Sequence, residues 1–86
     1  MNEFGSYLKK LRKSKQLSGK TFAELCGFGQ SYVSQIETGV KGIPSPETIR
    51  RMSNVLGVTH IGMMIKAGYV TEEEVLTYRK QAGISD

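Results

Sequence analysis

Four glycines divide this chain into short segments, and their positions limit its fold more than any other feature. They are Gly27, Gly39, Gly57 and Gly68. Each follows a segment whose apolar residues recur at every third or fourth position, which is the spacing of one face of an α-helix. Glycine commonly ends a helix because it adopts the left-handed backbone conformation at little steric cost. The pattern therefore predicts several short helices and no strand.

The residues that begin these segments favour the same interpretation. Ser18, Ser45 and Thr59 carry hydroxyl groups that suit the N-cap position of a helix. Thr71 opens a capping box, and Pro46 takes the first helical position, where its missing N–H costs nothing. We predict an all-α fold whose helices span residues 4–15, 19–26, 30–38, 46–56, 60–67 and 72–81.

The apolar positions of these helices predict a single core, which suits a chain of 86 residues. Cys26 is the one cysteine and cannot form an internal disulfide, so helix packing must supply the stability. We expect the core to contain Phe4, Tyr7, Leu8, Leu11, Phe22, Leu25, Cys26, Val33, Ile36, Ile49, Met52, Val55, Leu56, Ile61, Met64 and Ile65.

The charges are unevenly distributed along the chain. Lysines and an arginine crowd residues 9–20, whereas residues 72–74 are three consecutive glutamates. The net charge is +4 and the isoelectric point is about 9.4. A basic domain with its positive charge at one end is typical of proteins that bind nucleic acid.

Several other classes of function find no support in the sequence. No apolar run is long enough to span a bilayer, and the N-terminus lacks the pattern of a secretory signal, so we expect a cytoplasmic protein. The glycines lack the spacing of a phosphate-binding loop, and we expect neither an enzyme, a cofactor nor a metal site. Cys26 is expected to be a buried apolar residue. The side chain of His60 is expected to be exposed.

The helices at 19–26 and 30–38 are joined by the short turn Gly27-Phe28-Gly29. Two short helices with a glycine-containing turn form a helix-turn-helix motif. In that motif the second helix is held to the core on one side and exposed on the other, so that it fits the major groove of DNA.

The sequence from Leu17 to Gly39 resembles the Cro/CI-type helix-turn-helix regulators, also called the XRE family. The run Ser-Tyr-Val-Ser-Gln-Ile-Glu-Thr-Gly at 31–39 is the most specific part. Residues 8–12, 44–49 and 56–58 resemble the flanking helices of that family. The resemblance implies a five-helix lambda-repressor-like DNA-binding domain at 1–67. Residues 68–86 would then be a C-terminal helical extension and a possible dimerisation element.

The resemblance implies that the side chains of Gln30, Ser31, Ser34 and Gln35 face base edges. Their chemistry agrees, because glutamine pairs with adenine through two hydrogen bonds and serine serves several bases. The alternative is an ordinary solvated helix face.

The resemblance also suggests contacts to the DNA backbone, although each lysine among them could equally be a solvated charge. Tyr32 could contact the backbone or cover the helix pair. Gly19 departs from the family, which commonly has a glutamine there that braces a phosphate and the first base-reading residue. The expected backbone contacts are Ser18, Lys20, Thr21, Tyr32, Thr38 and Lys41.

Arg12 and Glu37 receive a different interpretation. In similar proteins these positions often form a partly buried ion pair that joins the first helix to the third. We therefore expect Arg12 to stabilise the fold rather than to bind DNA.

The C-terminal region has more apolar residues than a core of this size needs. We expect some of them to form a symmetric dimer contact, and the alternative is that the last helix folds back on its own domain. The candidates are Ile61, Ile65, Tyr69, Val75, Leu76 and Tyr78.

We expect a transcriptional repressor that binds a palindromic operator as a homodimer. Phage or mobile-element regulators and restriction–modification controllers use compact proteins of this kind. The alternative is an antitoxin or anti-repressor whose main role is to bind a partner protein.

Overall fold

The computed structural model describes residues 3–83, which form six α-helices and no strand. Helix α1 begins at Glu3 and ends at Ser14, one residue earlier at each end than predicted. The other five helices have the predicted bounds. They are α2 (Gly19–Cys26), α3 (Gln30–Thr38), α4 (Pro46–Leu56), α5 (His60–Ala67) and α6 (Glu72–Gln81).

The N-caps act as their residue types predict. The hydroxyl oxygen of Ser18 accepts a hydrogen bond from the N–H of Thr21 at 3.0 Å, which satisfies a free donor of α2. Thr71 and Glu74 form the capping box of α6. The hydroxyl of Thr71 accepts a hydrogen bond from the N–H of Glu74, and the carboxylate of Glu74 accepts one from the N–H of Thr71. Gly39 ends α3 in the left-handed conformation, with φ of 85°. These signals are local, so they set where each helix begins and ends without contacts between helices.

The core lies among the first five helices. Helix α1 packs against α3 and α5, α2 packs against α3 and α4, and α4 packs against α5. This arrangement holds α3 from two sides. The buried apolar residues are Phe4, Leu8, Phe22, Ala23, Cys26, Val33, Ile36, Ile49, Met52, Leu56 and Met63.

Two predicted core positions are wrong, and one buried position was not predicted. Leu25 is 59% exposed and Ile61 is 46% exposed. Met63, which was not predicted, is fully buried, while Met64 is only half-buried at the edge of the core. Helix α5 is apolar on nearly every side, so periodicity alone could not choose which methionine faces α1 and α4.

Gly5 provides a close approach that sequence reasoning missed. A Cβ atom at this position would lie 2.5 Å from the carbonyl oxygen of Ile36 and 2.6 Å from that of Glu37. Both oxygens belong to the backbone and cannot rotate away as a side chain can. Gly5 therefore sets how closely α1 approaches the last turn of α3.

Helix α6 differs from the other helices because none of its residues is buried. In the segment before it, the hydroxyl of Tyr69 donates a hydrogen bond to the carbonyl oxygen of Pro44 at 2.9 Å. Within residues 3–83, no helix combines the length and apolar character that crossing a bilayer requires. The predicted domain at 1–67 includes residues 1–2, and the predicted extension at 68–86 includes residues 84–86. These five residues lie outside the described part of the chain.

Candidate nucleic-acid interface

The turn between α2 and α3 is packed rather than loose. Gly27 adopts the left-handed conformation, with φ of 80°, and its N–H bonds to carbonyl oxygens at the end of α2. Phe28 is half-buried against the core, and its ring meets that of Tyr32 edge-on, with centroids 5.1 Å apart. The guanidinium of Arg51 lies 5.6 Å from the centre of the Phe28 ring. These contacts fix the angle between the two helices.

Helix α3 has one buried side and one polar side. Val33 and Ile36 are buried in the core. The polar face of α3 comprises Gln30, Ser31, Ser34 and Gln35, of which the first three are exposed and Gln35 is half-buried. None of these four side chains hydrogen-bonds to another residue within 3–83. Their donors and acceptors are therefore available to a ligand.

Arg12 and Glu37 form a buried, bidentate ion pair. The Nε and Nη2 atoms of Arg12 donate to the two carboxylate oxygens of Glu37 at 2.7 and 2.9 Å. Nη1 donates to the carbonyl oxygen of Leu17 at 2.8 Å, so the guanidinium joins α1, the following loop and α3. Hydrogen bonding to Glu37 raises the pKa of Arg12 above its ordinary value, although burial opposes this shift. The side chains are only 9% and 7% exposed, which leaves the pair little access to a ligand.

The six expected backbone contacts differ in how free their donors are. The hydroxyl of Ser18 bonds to that of Thr21 at 3.0 Å, and the hydroxyl of Thr38 donates to the carbonyl oxygen of Ser34 at 2.9 Å. Ser18 and Thr38 would therefore exchange an internal bond for a phosphate. Lys20 is exposed, and the ammonium of Lys41 lies 5.8 Å from the centre of the half-buried Tyr32 ring.

A polar cleft opens between α1, the start of α2 and the length of α3. Nothing lies within 4 Å of where a Cβ of Gly19 would stand, and its φ is not in the left-handed region. The fold therefore does not require glycine at this position. The cleft is lined by Lys9, Arg12, Gly19, Gln30, Val33, Ser34, Glu37 and Thr38.

Two residues with reactive side chains are placed away from any site. Cys26 is 5% exposed, and burial raises the pKa of its thiol to about 11 despite the nearby charge of Arg51. The thiolate that would make it reactive is therefore scarce at neutral pH. His60 is half-buried, not exposed as expected, and its Nε2 lies 3.2 Å from the carbonyl oxygen of Pro46. The described part of the chain contains no cluster of His, Cys, Asp and Glu able to hold a metal ion.

The expected dimer contacts lie on α5, on α6 and between them. Ile61, Tyr69, Leu76 and Tyr78 are exposed to 46%, 43%, 54% and 65%. Ile65 and Val75 are half-buried. The structure brings five of the six together in two shallow, mainly apolar depressions, lined by Ile61, Val70, Glu74, Val75, Tyr78 and Arg79, and by Ile65, Glu72, Val75, Leu76 and Arg79.

Comparison with known proteins identifies relatives that match most of this chain. Residues 8–62 match the family model described as helix-turn-helix. The HTH-type transcriptional repressor RghR of Bacillus subtilis is 36% identical over 72 residues, which are 84% of this chain and 53% of RghR. The ImmF control region 10 kDa protein of Bacillus phage phi105 is 32% identical and matches over 93% of both chains. The chain spans about half the length of RghR and of RghRB, a further curated relative.

Solved structures give the same result. The biofilm regulator SinR in complex with DNA superposes with a TM-score of 0.67 and 33% identity, covering 71% of this chain and 97% of the SinR chain. SinR in its complex with the SinI protein has the same TM-score and 30% identity, over 96% of this chain and 84% of that one.

Proposed function

This chain belongs to the XRE-type helix-turn-helix family of DNA-binding transcriptional regulators, and from that premise we propose that it is a repressor that binds a palindromic operator as a homodimer. One observation carries the proposal. The four side chains of the polar face of α3 have unused hydrogen-bonding groups, on a helix that the core and the Arg12–Glu37 pair hold in place. A fixed helix with free polar groups is what reading of the major groove requires.

The polar face of α3 suits base recognition. The amides of Gln30 and Gln35 can each donate and accept, and a glutamine that pairs with adenine through both groups discriminates by about 1–3 kcal/mol. Ser31 and Ser34 can each donate or accept a single bond. Because all four are uncharged, they add little to binding of random DNA and chiefly select sequence.

Backbone contacts would orient α3 in the groove. Lys20 and Thr21 lie in the first turn of α2, where the helix dipole favours a phosphate. Tyr32, in the first turn of α3, and Lys41, beyond its end, lie close together and supply a hydroxyl and an ammonium. Ser18 and Thr38 join them once their internal hydrogen bonds are exchanged for phosphate oxygens.

Two relatives support a repressor of the phage or mobile-element type. RghR is itself a transcriptional repressor, and the ImmF control region 10 kDa protein of phage phi105 matches this chain over nearly its whole length. Such a repressor would act by occupying a promoter and blocking polymerase. A restriction–modification controller would use the same DNA contacts.

The homodimer would form through α5 and α6, which carry the exposed side chains of Ile61, Leu76 and Tyr78. A twofold axis there would present two α3 helices to half-sites about 34 Å apart, which is one helical turn of DNA. Because the two half-sites would be read together, the discrimination between correct and incorrect sequence would be the product of what the two α3 helices provide.

Selection of binding sites from a random duplex pool tests the proposal. We expect enrichment of an inverted repeat whose half-sites are centred about one helical turn apart. Binding to random duplex should weaken steeply as salt rises, because phosphate contacts release counterions. A pool without enrichment, or a flat response to salt, would contradict DNA reading by α3.

A second candidate is an antitoxin or anti-repressor that binds a partner protein. The observation in its favour is the exposed apolar surface at α5 and α6 on a chain similar to SinR in the SinR–SinI complex. It differs from the first candidate in its salt response, because apolar docking depends little on counterion release.

A further inference from the structure

Helix α6 does not have the contacts that a helix of its length needs. A ten-residue helix is marginal in water, because the cost of nucleating it is recovered only through packing. No residue of α6 is buried, and Leu76 remains 54% exposed. Thr71 and Glu74 cap its start, but a cap cannot replace an apolar contact. This helix is therefore the element with the most to gain from a further contact.

One face of α6 carries a short pattern that is complementary to itself. Glu72, Leu76 and Lys80 are spaced by four residues, so they follow one another along one side of the helix. We call them the α6 stripe. All three are exposed, and neither Glu72 nor Lys80 forms an ion pair with another residue in the part of the chain described. The acid and the base stand at equal distances, about 6 Å along the helix axis, from the central leucine.

The order of these charges selects one orientation of a second helix. When two copies of α6 pair antiparallel about a twofold axis at Leu76, each Glu72 meets Lys80 of the other copy. A parallel pair would set glutamate beside glutamate and lysine beside lysine. Because the acid and base are arranged symmetrically about an apolar residue, the occupant that this face fits best is its own copy.

We propose that α6 pairs antiparallel with α6 of a second copy, through the leucine and the two charges of the α6 stripe. The shallow depression that Ile65 shares with Leu76 continues the apolar contact towards α5. The proposal rests on the homodimer proposed above and names its interface. The ion pairs set the orientation, while the burial of leucine supplies most of the affinity.

A charge exchange on the full chain, free of DNA, tests this pairing. The dimer dissociation constant would be measured by sedimentation equilibrium for wild type, Glu72→Lys, Lys80→Glu and the double variant. We expect each single change to raise the constant about tenfold, and the double variant to return to within about threefold of wild type. The double variant places a lysine at the start and a glutamate at the end of α6, and both oppose the helix dipole. If the changes acted only by destabilising α6, the double variant would therefore have a higher dissociation constant than either single variant.

Leu76→Glu supplies the second arm, with Leu25→Glu as its matched control. Both leucines are more than half exposed, at 54% and 59%, but Leu25 lies on α2 outside the proposed interface. We expect Leu76→Glu to abolish the dimer and Leu25→Glu to leave it intact. Helix content and melting temperature, followed by circular dichroism, verify that each variant remains folded.

The outcomes separate this pairing from the proposed function. A double variant that stays as weak as the single ones, or a Leu76→Glu variant that stays dimeric, overturns the α6 pairing and leaves a homodimer with another interface. A wild-type chain that is monomeric throughout overturns both the pairing and the homodimer. DNA binding by single half-sites would survive each of these results.

Discussion

The Arg12–Glu37 pair joins three parts of the chain. Its three hydrogen bonds of 2.7–2.9 Å connect α1, the loop at Leu17 and the last turn of α3. Removing one member leaves the other charged and buried, and this costs more than the intact pair contributes. The pair therefore supports the orientation of α3, even though an arginine near a DNA-binding helix suggests a phosphate contact.

Arg12→Ala should lower the free energy of unfolding by about 3 kcal/mol, because it strands the carboxylate of Glu37 in a mostly buried position. Lys13→Ala, an exposed neighbour on the same helix, should change it by less than about 0.5 kcal/mol. Urea unfolding of the two variants measures the difference. Unchanged stability together with weakened DNA binding would show that Arg12 is a DNA contact instead.

Gly5→Ala should also destabilise the fold, by about 1–3 kcal/mol, because the new methyl group meets two backbone oxygens of α3 at 2.5 and 2.6 Å. Gly42→Ala is the control, since nothing lies within 4 Å of its Cβ position and its φ is ordinary. Thermal unfolding followed by circular dichroism compares them. Equal melting temperatures for the two variants would contradict the close approach.

Residues whose surroundings are local were predictable, and residues placed by distant helices were not. The N-cap at Ser18 and the helix end at Gly39 depend on their own turns, and both were predicted. Leu25 was predicted wrongly and Met63 was missed because α2 and α5 are short and apolar on several sides, so their inward directions depend on neighbouring helices. Gly5 gave no signal, because only the crossing of α1 over α3 reveals what a side chain would meet.

At the scale of elements, α2 and α3 form a rigid unit with one unusual position. Gly19 begins α2 beside the cleft that also contains Gln30. The resemblance to the family places a bracing glutamine there, and its absence leaves Gln30 without a hydrogen-bonding neighbour. A longer side chain would enter open space rather than displace another group.

Gly19→Gln should therefore tighten binding to the selected operator about two- to tenfold, which corresponds to one net hydrogen bond of roughly 0.5–1.5 kcal/mol. Gly19→Ala is the matched control, because alanine improves helix propensity without supplying an amide. Fluorescence anisotropy with labelled operator measures both. Equal affinities for the Gln and Ala variants would indicate that the cleft does not contribute to binding.

Helix α6 should be the first element to open. Its amide hydrogens are expected to exchange fastest at low protein concentration, because none of its residues is buried. At concentrations that favour the dimer its exchange should slow, whereas exchange in α1 to α5 should change little. Mass-detected hydrogen exchange at two concentrations measures this, and equal rates in α6 at both would contradict a contact between copies.

At the scale of the molecule, the shape is elongated and the charge is unevenly distributed. The described chain measures 42 × 24 × 20 Å. Exposed lysines crowd α1 and the start of α2, and the glutamates at 72–74 begin α6. A basic domain of this kind is attracted to DNA at long range, and uneven charge helps to orient its approach. The fold class and this uneven charge were predictable, whereas the packing of α6 was not, because none of its residues is buried within the described chain.

We propose that the polar face of α3 reads base sequence while the lysines around it bind phosphate. The ratio of affinities for the selected operator and for random duplex tests it most directly, measured for Gln30→Ala and Lys20→Ala at one salt concentration. Gln30→Ala should lower the ratio about tenfold with random binding unchanged, whereas Lys20→Ala should weaken both affinities and preserve the ratio. A Gln30→Ala variant with the wild-type ratio would contradict it.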